Sequence, residues 1–211
     1  MAALRRNLSL TALGIIVAAF GFSLTTCTSR PIQDESSEAA LPLVLSVPDN
    51  FHFLQHDPRW ADAEMGNSGG TLADYGCTLT SVSMAAANLG LETDPGALNA
   101  ALSVAGGYTE RGWLKWASLE QVTNGELQVT VYGSPNGAQI DECLEDGHYP
   151  VVKFMLDNRV QHWALVVGKT EVDWIVRDPL GPSETRVALG DLTSMIESVR
   201  CIRPGNWSNN R

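Results

Sequence analysis

Three residues of this chain are of the types that carry out nucleophilic catalysis, and they occur in the order cysteine, histidine, acid. Cys77 lies in the run TLADYGCTLTSVSM, His162 opens the run HWALVVG, and Asp178 closes the run VDWIVRD. A free thiol has a pKa of about 8.5, so at neutral pH it needs a nearby base or positive charge to act as a nucleophile. A histidine can remove the thiol proton, and a carboxylate can fix the histidine tautomer. The three residues therefore predict a thiol hydrolase.

The elements predicted around these residues would bring them together. A compact buried helix is predicted from Cys77 to about Leu89, and a helix start favours a negative charge by about 0.3–1 kcal/mol. The two runs that contain His162 and Asp178 are rich in β-branched and aromatic residues and are joined by a short polar turn, which predicts a β-hairpin. The start of one hairpin strand lies beside the end of the other, so we expect His162 and Asp178 to be neighbours.

Each of the three residues also has a simpler structural interpretation. Cys77 would then be a buried core cysteine, His162 a histidine bonded to backbone at the rim of a sheet, and Asp178 a turn residue before Pro179. A zinc site is the competing use of cysteine and histidine, but the sequence contains no Cys-x-x-Cys pair. We therefore predict neither a metal nor an organic cofactor.

The rest of the chain predicts an α+β fold, in which helices come first and an antiparallel sheet follows. A second helix is predicted to begin at Pro95, and a third over residues 111–123 with Trp113, Trp116 and Leu119 directed inward. Two short helices are predicted in the runs NGAQIDECLEDG and GDLTSMIES, and strands in the runs ELQVTVYG, VVKFML, HWALVVGKT, VDWIVRDP, ETRVAL and VRCIRP.

The first 27 residues predict an export signal. Arg5 and Arg6 precede an apolar stretch from about Leu8 to Leu24 that contains no acid. The stretch ends in LTTC, which resembles the lipobox of bacterial lipoproteins and marks Cys27 as a candidate lipidation site. A signal cleaved without lipidation, or an uncleaved membrane anchor, remains an alternative.

The composition beyond the signal divides the chain further. Residues 28–50 are rich in Ser, Pro and acids and predict a flexible tether, while residues 51–204 predict one globular domain and residues 205–211 a tail. The net charge is −10, and without the signal 12 basic residues face 24 acidic ones. Such a surface repels phosphate backbones, so we expect no nucleic-acid partner.

The cysteines outside the signal and the candidate site are Cys143 and Cys201. Export to an oxidising compartment permits a disulfide between them. Four cysteines allow three pairings, and this pairing is favoured only because Cys27 belongs to the end of the signal and Cys77 to the candidate site. Two buried free thiols are the alternative.

Residues 51–181 resemble the papain-like cysteine peptidases of family C-39, named for the bacteriocin leader peptidases, and their stand-alone relatives. The resemblance consists of Gln55 followed by DPRW, the run GCTLTSVSM around Cys77, and then TDPGALNAAL, GGY, GHYPVV, HWALVVG and RDPLG in family order. It implies a papain-like fold with Cys77 as nucleophile, His162 as base, Asp178 as orienting carboxylate and Gln55 as oxyanion donor.

These observations together predict an exported, envelope-anchored or secreted cysteine hydrolase that cleaves peptide bonds. Its partners would be a peptide or protein substrate and the membrane, reached through the signal or a lipid anchor. The alternatives are an inactive binding module at the cell surface, an acyltransferase that uses an amine in place of water, and a cell-wall peptide amidase. The sequence leaves the oligomeric state open.

Overall fold

The computed structural model describes residues 42–157, 159–182 and 185–205, which belong to one folded body. Its helices are α1 (Leu72–Tyr75), α2 (Cys77–Asn88), α3 (Pro95–Val104), α4 (Ala117–Val122), α5 (Gly137–Glu145) and α6 (Leu189–Leu192). Its strands are β1 (Leu45–Ser46), β2 (Leu127–Val131), β3 (Tyr149–Leu156), β4 (Val160–Lys169), β5 (Trp174–Arg177), β6 (Val187–Ala188) and β7 (Ser198–Pro204). The mixture of helices and an antiparallel sheet confirms the α+β part of the predicted fold class.

The predicted export signal, including Cys27, lies outside the described residues. The same holds for the first part of the predicted tether, up to residue 41, and for residues 206–211 of the predicted tail. In the part of the chain that the structure describes, no helix is long and apolar enough to cross a membrane.

The strands form one antiparallel sheet in the order β2-β7-β3-β4-β5-β6, and β1 pairs with the end of β4. Strand β4 lies inside this sheet, with β3 on one side and β5 on the other. Strand β3 directly precedes β4 in the chain and β5 directly follows it, so β3-β4 and β4-β5 are hairpins. The β4-β5 hairpin is the one predicted from the sequence. Both partners fix the register of β4, and His162 itself pairs with Phe154 of β3.

Helix α2 packs against the sheet, mainly on β4. Ten of its twelve residues are buried, because small side chains such as Ala85 and Ala86 let the helix axis approach the strands closely. Its neighbour α3 begins as predicted, with the Asp94 side chain accepting a hydrogen bond from the Ala97 amide and with Pro95 in the first turn.

The third predicted helix is shorter than expected. Gly112 has a positive φ of 76° and Tyr108 forms an isolated bridge with Leu114, so the chain turns where the helix was predicted to begin. The prediction that Trp113 is directed inward is wrong, since it is 52% exposed, whereas Trp116 is partly buried and Leu119 is fully buried. The helix predicted in GDLTSMIES is reduced to the single turn α6.

The predicted boundary between the flexible tether and the folded domain, after residue 50, is wrong as well. Residues 44–50 are part of the folded domain. Strand β3 pairs with β4 only as far as Leu165, and β1 pairs with the same edge of β4 further along the strand. Asp49, whose side chain is 1% exposed, accepts hydrogen bonds from Arg177 at 2.9 Å and from Arg186 at 2.8 Å. The globular domain therefore begins several residues before residue 51.

A disulfide joins Cys143 in α5 to Cys201 in β7, with the two Cα atoms 5.9 Å apart. It attaches this helix to a strand that lies inside the sheet. Among the described residues Cys77 is then the free cysteine.

Candidate active site

Cys77 is the first residue of α2, and the turn before it depends on a glycine. Gly76 precedes the helix, and a side chain at this position would collide with the carbonyl oxygen and the side chain of Leu72. The preceding helix α1 begins with a capping box between Thr71 and Asp74. These local features fix the direction in which α2 starts and therefore the place of the thiol, which is nearly buried.

His162 and Asp178 meet across the β4-β5 hairpin. The Nε2 atom of His162 lies 2.7 Å from Oδ1 of Asp178, and the same oxygen accepts a hydrogen bond of 2.8 Å from the Leu180 amide. The two side chains are 1% and 9% exposed. This contact is therefore shielded from water, which strengthens it.

Cys77 also lies close enough to His162 to influence the pKa of the ring. Because Nε2 faces Asp178, Nδ1 is the ring nitrogen that remains for the thiol. Burial lowers the pKa of His162, but the hydrogen bonds to Asp178 and Cys77 and the charges of both groups raise it to about 9. The structure thus brings together all three residues that the sequence singled out.

The charge on His162 acts back on its carboxylate partner. Burial raises the pKa of Asp178, but the hydrogen bond and charge of His162, with the Leu180 amide, hold this pKa below its usual value. A protonated imidazole beside the Asp178 carboxylate is therefore the arrangement that the surroundings favour at neutral pH.

Two further contacts hold the pair in place. Phe154 lies directly opposite His162 on β3, and the two rings meet edge to face with their centres 5.4 Å apart. Ser81, one turn after Cys77 on the same side of α2, donates a hydrogen bond of 3.3 Å to the carbonyl oxygen of Trp163. The sequence analysis missed Ser81, although its spacing of four residues from Cys77 is the signal that would have identified it.

Gln55 links the two halves of the site. Its side-chain nitrogen donates to the Ala73 carbonyl at 2.7 Å, and its backbone amide donates to the Pro179 carbonyl at 2.9 Å. Ala73 precedes Cys77 and Pro179 follows Asp178. The side-chain oxygen of Gln55 is buried without a hydrogen-bond partner, which leaves this amide only partly satisfied.

His52 is a residue near the site to which the sequence gave no role. Its Nε2 atom lies 3.5 Å from the backbone oxygen of Asp178. Burial and the neighbouring charge of Arg177 lower the pKa of His52, so at neutral pH it is the less readily protonated of the two histidines. Over the described ranges, no group of three or more His, Cys, Asp or Glu residues is arranged to hold a metal ion.

No protein-family model and no curated protein matches the sequence. Among solved structures, the chain is similar to a crystal structure described as a candidate C-39-like peptidase from Bacillus anthracis, with 14% sequence identity and a TM-score of 0.41. The match covers 77% of this chain and 99% of that chain.

Proposed function

We propose that this protein is a cysteine hydrolase of papain-like fold that cleaves peptide bonds through Cys77, His162 and Asp178. One observation carries the proposal. His162 is a buried histidine that contacts a carboxylate at 2.7 Å and interacts with the free thiol of Cys77. A purely structural cysteine has no need of such a partner.

Before substrate binds, the proton that Cys77 and His162 share would reside on the imidazole ring. The raised pKa of about 9 keeps the imidazole protonated at neutral pH, so the sulfur can carry the negative charge. The thiolate attacks the acyl carbon, an S–C bond forms, and the carbonyl electron pair moves to the oxygen. His162 then gives its proton to the leaving amine as the C–N bond breaks.

The second half of the reaction releases the acyl group. His162 takes a proton from water, the hydroxide oxygen attacks the thioester carbon, and the C–S bond breaks to regenerate Cys77. Asp178 stabilises the imidazolium that forms in each half and holds the ring in one orientation. It does not need to accept the proton.

The oxyanion would be held at the start of α2. The first backbone N–H groups of a helix have no partner within the helix, so the amide of Cys77 is suitably placed to donate. Gln55 would be the second donor. Its bond to the Ala73 carbonyl uses one of the two amide hydrogens, which leaves the other for the substrate oxygen.

We also propose that the enzyme is exported and held at the cell envelope. The signal-like first 27 residues and the LTTC run around Cys27 support this location. The Cys143–Cys201 disulfide supports it independently, since structural disulfides persist in oxidising compartments. Metabolic labelling with a palmitate analogue, lost in Cys27→Ser, would support lipidation, whereas an unlabelled secreted form would contradict it.

An activity-based probe tests the proposed chemistry. We expect a peptidyl vinyl sulfone to label Cys77 in the wild type and His162→Ala to be labelled at least about a hundredfold more slowly, because general-base assistance contributes at least that much. His148→Ala is the matched control, as His148 lies in a turn after α5 and should leave labelling unchanged. Equal labelling of wild type and His162→Ala would refute the proposal.

A further inference from the structure

The side chain of Asp49 binds two arginines that lie at opposite ends of one loop. Its Oδ2 atom accepts hydrogen bonds from Nε of Arg177 at 2.9 Å and from Nε of Arg186 at 2.8 Å, and its Oδ1 atom accepts from Nε of Arg177 at 3.1 Å. Arg177 is the last residue of β5, and Arg186 directly precedes β6. One carboxylate therefore fastens both ends of the loop between β5 and β6. We call Asp49, Arg177 and Arg186 the Asp49 clamp.

The loop that this clamp closes begins with Asp178. Two further contacts come from the residues that follow Asp49 in the chain. Nε2 of His52 lies 3.5 Å from the backbone oxygen of Asp178, and the Gln55 amide donates to the Pro179 carbonyl at 2.9 Å. The segment from Asp49 to Gln55 therefore lies along the start of the loop, beside the carboxylate that orients the catalytic histidine.

Most of the Asp49 clamp is shielded from water. The side chains of Asp49 and Arg177 are 1% and 11% exposed, whereas that of Arg186 is 46% exposed. Charge-assisted hydrogen bonds are strong, and a buried ion that loses its partner is left as an uncompensated charge. Nη1 of Arg177 is already buried without a hydrogen-bond partner in the described part of the chain. Loss of the Asp49 charge would therefore leave this guanidinium poorly matched, directly beside Asp178.

The titration of His162 reports on the clamp through Asp178. Burial lowers the pKa of His162, and the groups that raise it are Asp178 and Cys77, through hydrogen bonds and charge. Asp49 is not one of these groups, so removing its charge would change the titration of His162 by changing the position of Asp178. A loss of stability elsewhere in the fold would not produce this change.

We propose that Asp49 is a positioning residue that holds Asp178 at its distance of 2.7 Å from His162. This inference rests on the proposed hydrolase function. The sheet does not hold Asp178 itself, because β5 pairs with β4 only as far as Arg177 and with β6 only as far as Val176. The Asp49 clamp supplies the missing restraint at the point where the chain leaves the sheet.

Asp49→Asn tests the proposal, because asparagine has nearly the same shape but no charge. We expect the maximal rate at which a peptidyl vinyl sulfone labels Cys77 to fall about tenfold or more, as displacement of a catalytic group by about 1 Å would produce. The probe concentration that gives half of this rate should not change, since Asp49 does not contact the probe. In NMR, the titration of His162 should move to lower pH, because a displaced Asp178 stabilises the imidazolium less.

Asp141→Asn is the matched control. Asp141 also accepts bonds from two side chains, from Lys169 at 2.6 Å and from Trp174 at 2.8 Å, but at the closed end of the same hairpin. We expect this variant to lose stability while the labelling rate and the histidine titration keep their wild-type values. If Asp49→Asn also leaves both values unchanged, Asp49 has only a structural role and the proposal is overturned.

Variants of Arg186 keep the proposal testable if Asp49→Asn does not fold, because this arginine is half exposed. Arg186→Gln should slow labelling by about threefold, as a partly exposed ion pair contributes little, and should shift the His162 titration in the same direction. Arg186→Lys retains the charge and should restore most of both values. Lys169→Gln is the matched control, since it removes a partly exposed cation from the closed end of the hairpin. If Arg186→Gln changes neither value, the two-ended clamp is overturned.

Failure of this inference can be told apart from failure of the proposed function. The reaction of wild-type Cys77 with iodoacetamide at neutral pH is measured in parallel, and a slow reaction would overturn the hydrolase function itself. The titration of His162 in Asp49→Asn requires no substrate. An unchanged titration in this variant, together with a reactive thiol in the wild type, would overturn the role of Asp49 alone.

Discussion

Oδ1 of Asp178 is 2.7 Å from Nε2 of His162 at the open end of the β4-β5 hairpin. The two residues are 16 positions apart in the chain, and the hairpin brings them together. The same oxygen also accepts the Leu180 amide, so the carboxylate is held by its own turn while it orients the ring. One aspartate thus combines a turn-forming role and an orienting role, which the sequence analysis had treated as alternatives.

Replacement of this carboxylate should change both the rate and its pH dependence. We expect Asp178→Asn to reduce kcat by at least about tenfold, because asparagine keeps an acceptor oxygen but lacks the negative charge that stabilises the imidazolium. The protonated form of His162 is needed to protonate the leaving amine, so kcat/KM of the wild type should fall as pH rises through about 9. Without Asp178 the imidazolium is less stable, and this decline should move to lower pH.

NMR titration of the His162 ring measures the same shift directly. Asp141→Asn is the control, since Asp141 is a partly buried carboxylate that pairs with Lys169 at 2.6 Å and is absent from the contacts of His162. An unchanged His162 titration in Asp178→Asn would contradict the stabilisation of the imidazolium by the Asp178 charge.

Ser81 offers a test of how α2 is positioned. Ser81→Ala removes the hydrogen bond from α2 to the Trp163 carbonyl, so we expect kcat to fall severalfold through a displaced Cys77. Ser83→Ala is a matched control on the same helix, because the equally buried Ser83 hydroxyl bonds to the Leu79 carbonyl within α2. Each variant should lose on the order of 1 kcal/mol of stability. Equal activity in the two variants, at equal loss of stability, would rule out a positioning role for Ser81.

Gly76 tests the turn that starts α2. A Cβ atom at this position would collide with the Leu72 carbonyl, so Gly76→Ala should displace the helix start and slow labelling of Cys77 by at least about tenfold, as expected when a nucleophile moves by about 1 Å. Gly133→Ala is the control, because a Cβ atom there meets nothing within 4 Å. If a folded Gly76→Ala protein is labelled at Cys77 at the wild-type rate, the start of α2 tolerates the change and the prediction is wrong.

The disulfide should contribute to stability and not to catalysis. Cys143 and Cys201 are 58 residues apart, and closing a loop of this length stabilises a fold by about 2–4 kcal/mol. We expect the Cys143→Ser, Cys201→Ser double variant to unfold at lower denaturant concentration. Its folded fraction should be labelled at Cys77 at the wild-type rate. A reducing agent should lower the stability of the wild type by a similar amount and leave the double variant unchanged.

The sequence predicted those parts of the fold that local patterns determine. The Pro95 start of α3 follows from its cap, and the β4-β5 hairpin follows from two β-rich runs with a short turn. That hairpin is also why His162 and Asp178 could be expected to be neighbours. The approach of Cys77 to His162 depends on how α2 packs against the sheet, which no local pattern contains.

The errors have the same physical origin. Trp113 was predicted to be buried because a helix was assumed to run through Gly112. The positive φ of Gly112 interrupts the chain there, so Trp113 does not lie on the inner face of a helix. Residues 45 and 46 were assigned to a tether because a two-residue strand has no period of its own. Their position depends on the edge of β4 that β3 leaves open beyond Leu165, a feature that appears only when the sheet is assembled.

The pH dependence of Cys77 alkylation tests the central claim most directly. Iodoacetamide is used because it is small enough to reach a nearly buried thiol, and the peptide that contains Cys77 is quantified by mass spectrometry in the wild type and in His162→Ala. We predict that the wild type reacts rapidly already at neutral pH, while the variant follows an ordinary thiol and reacts only toward pH of about 8.5 and above. A wild-type rate that rises only above a pH of about 8, with no step near neutrality and no difference from His162→Ala, would contradict the claim.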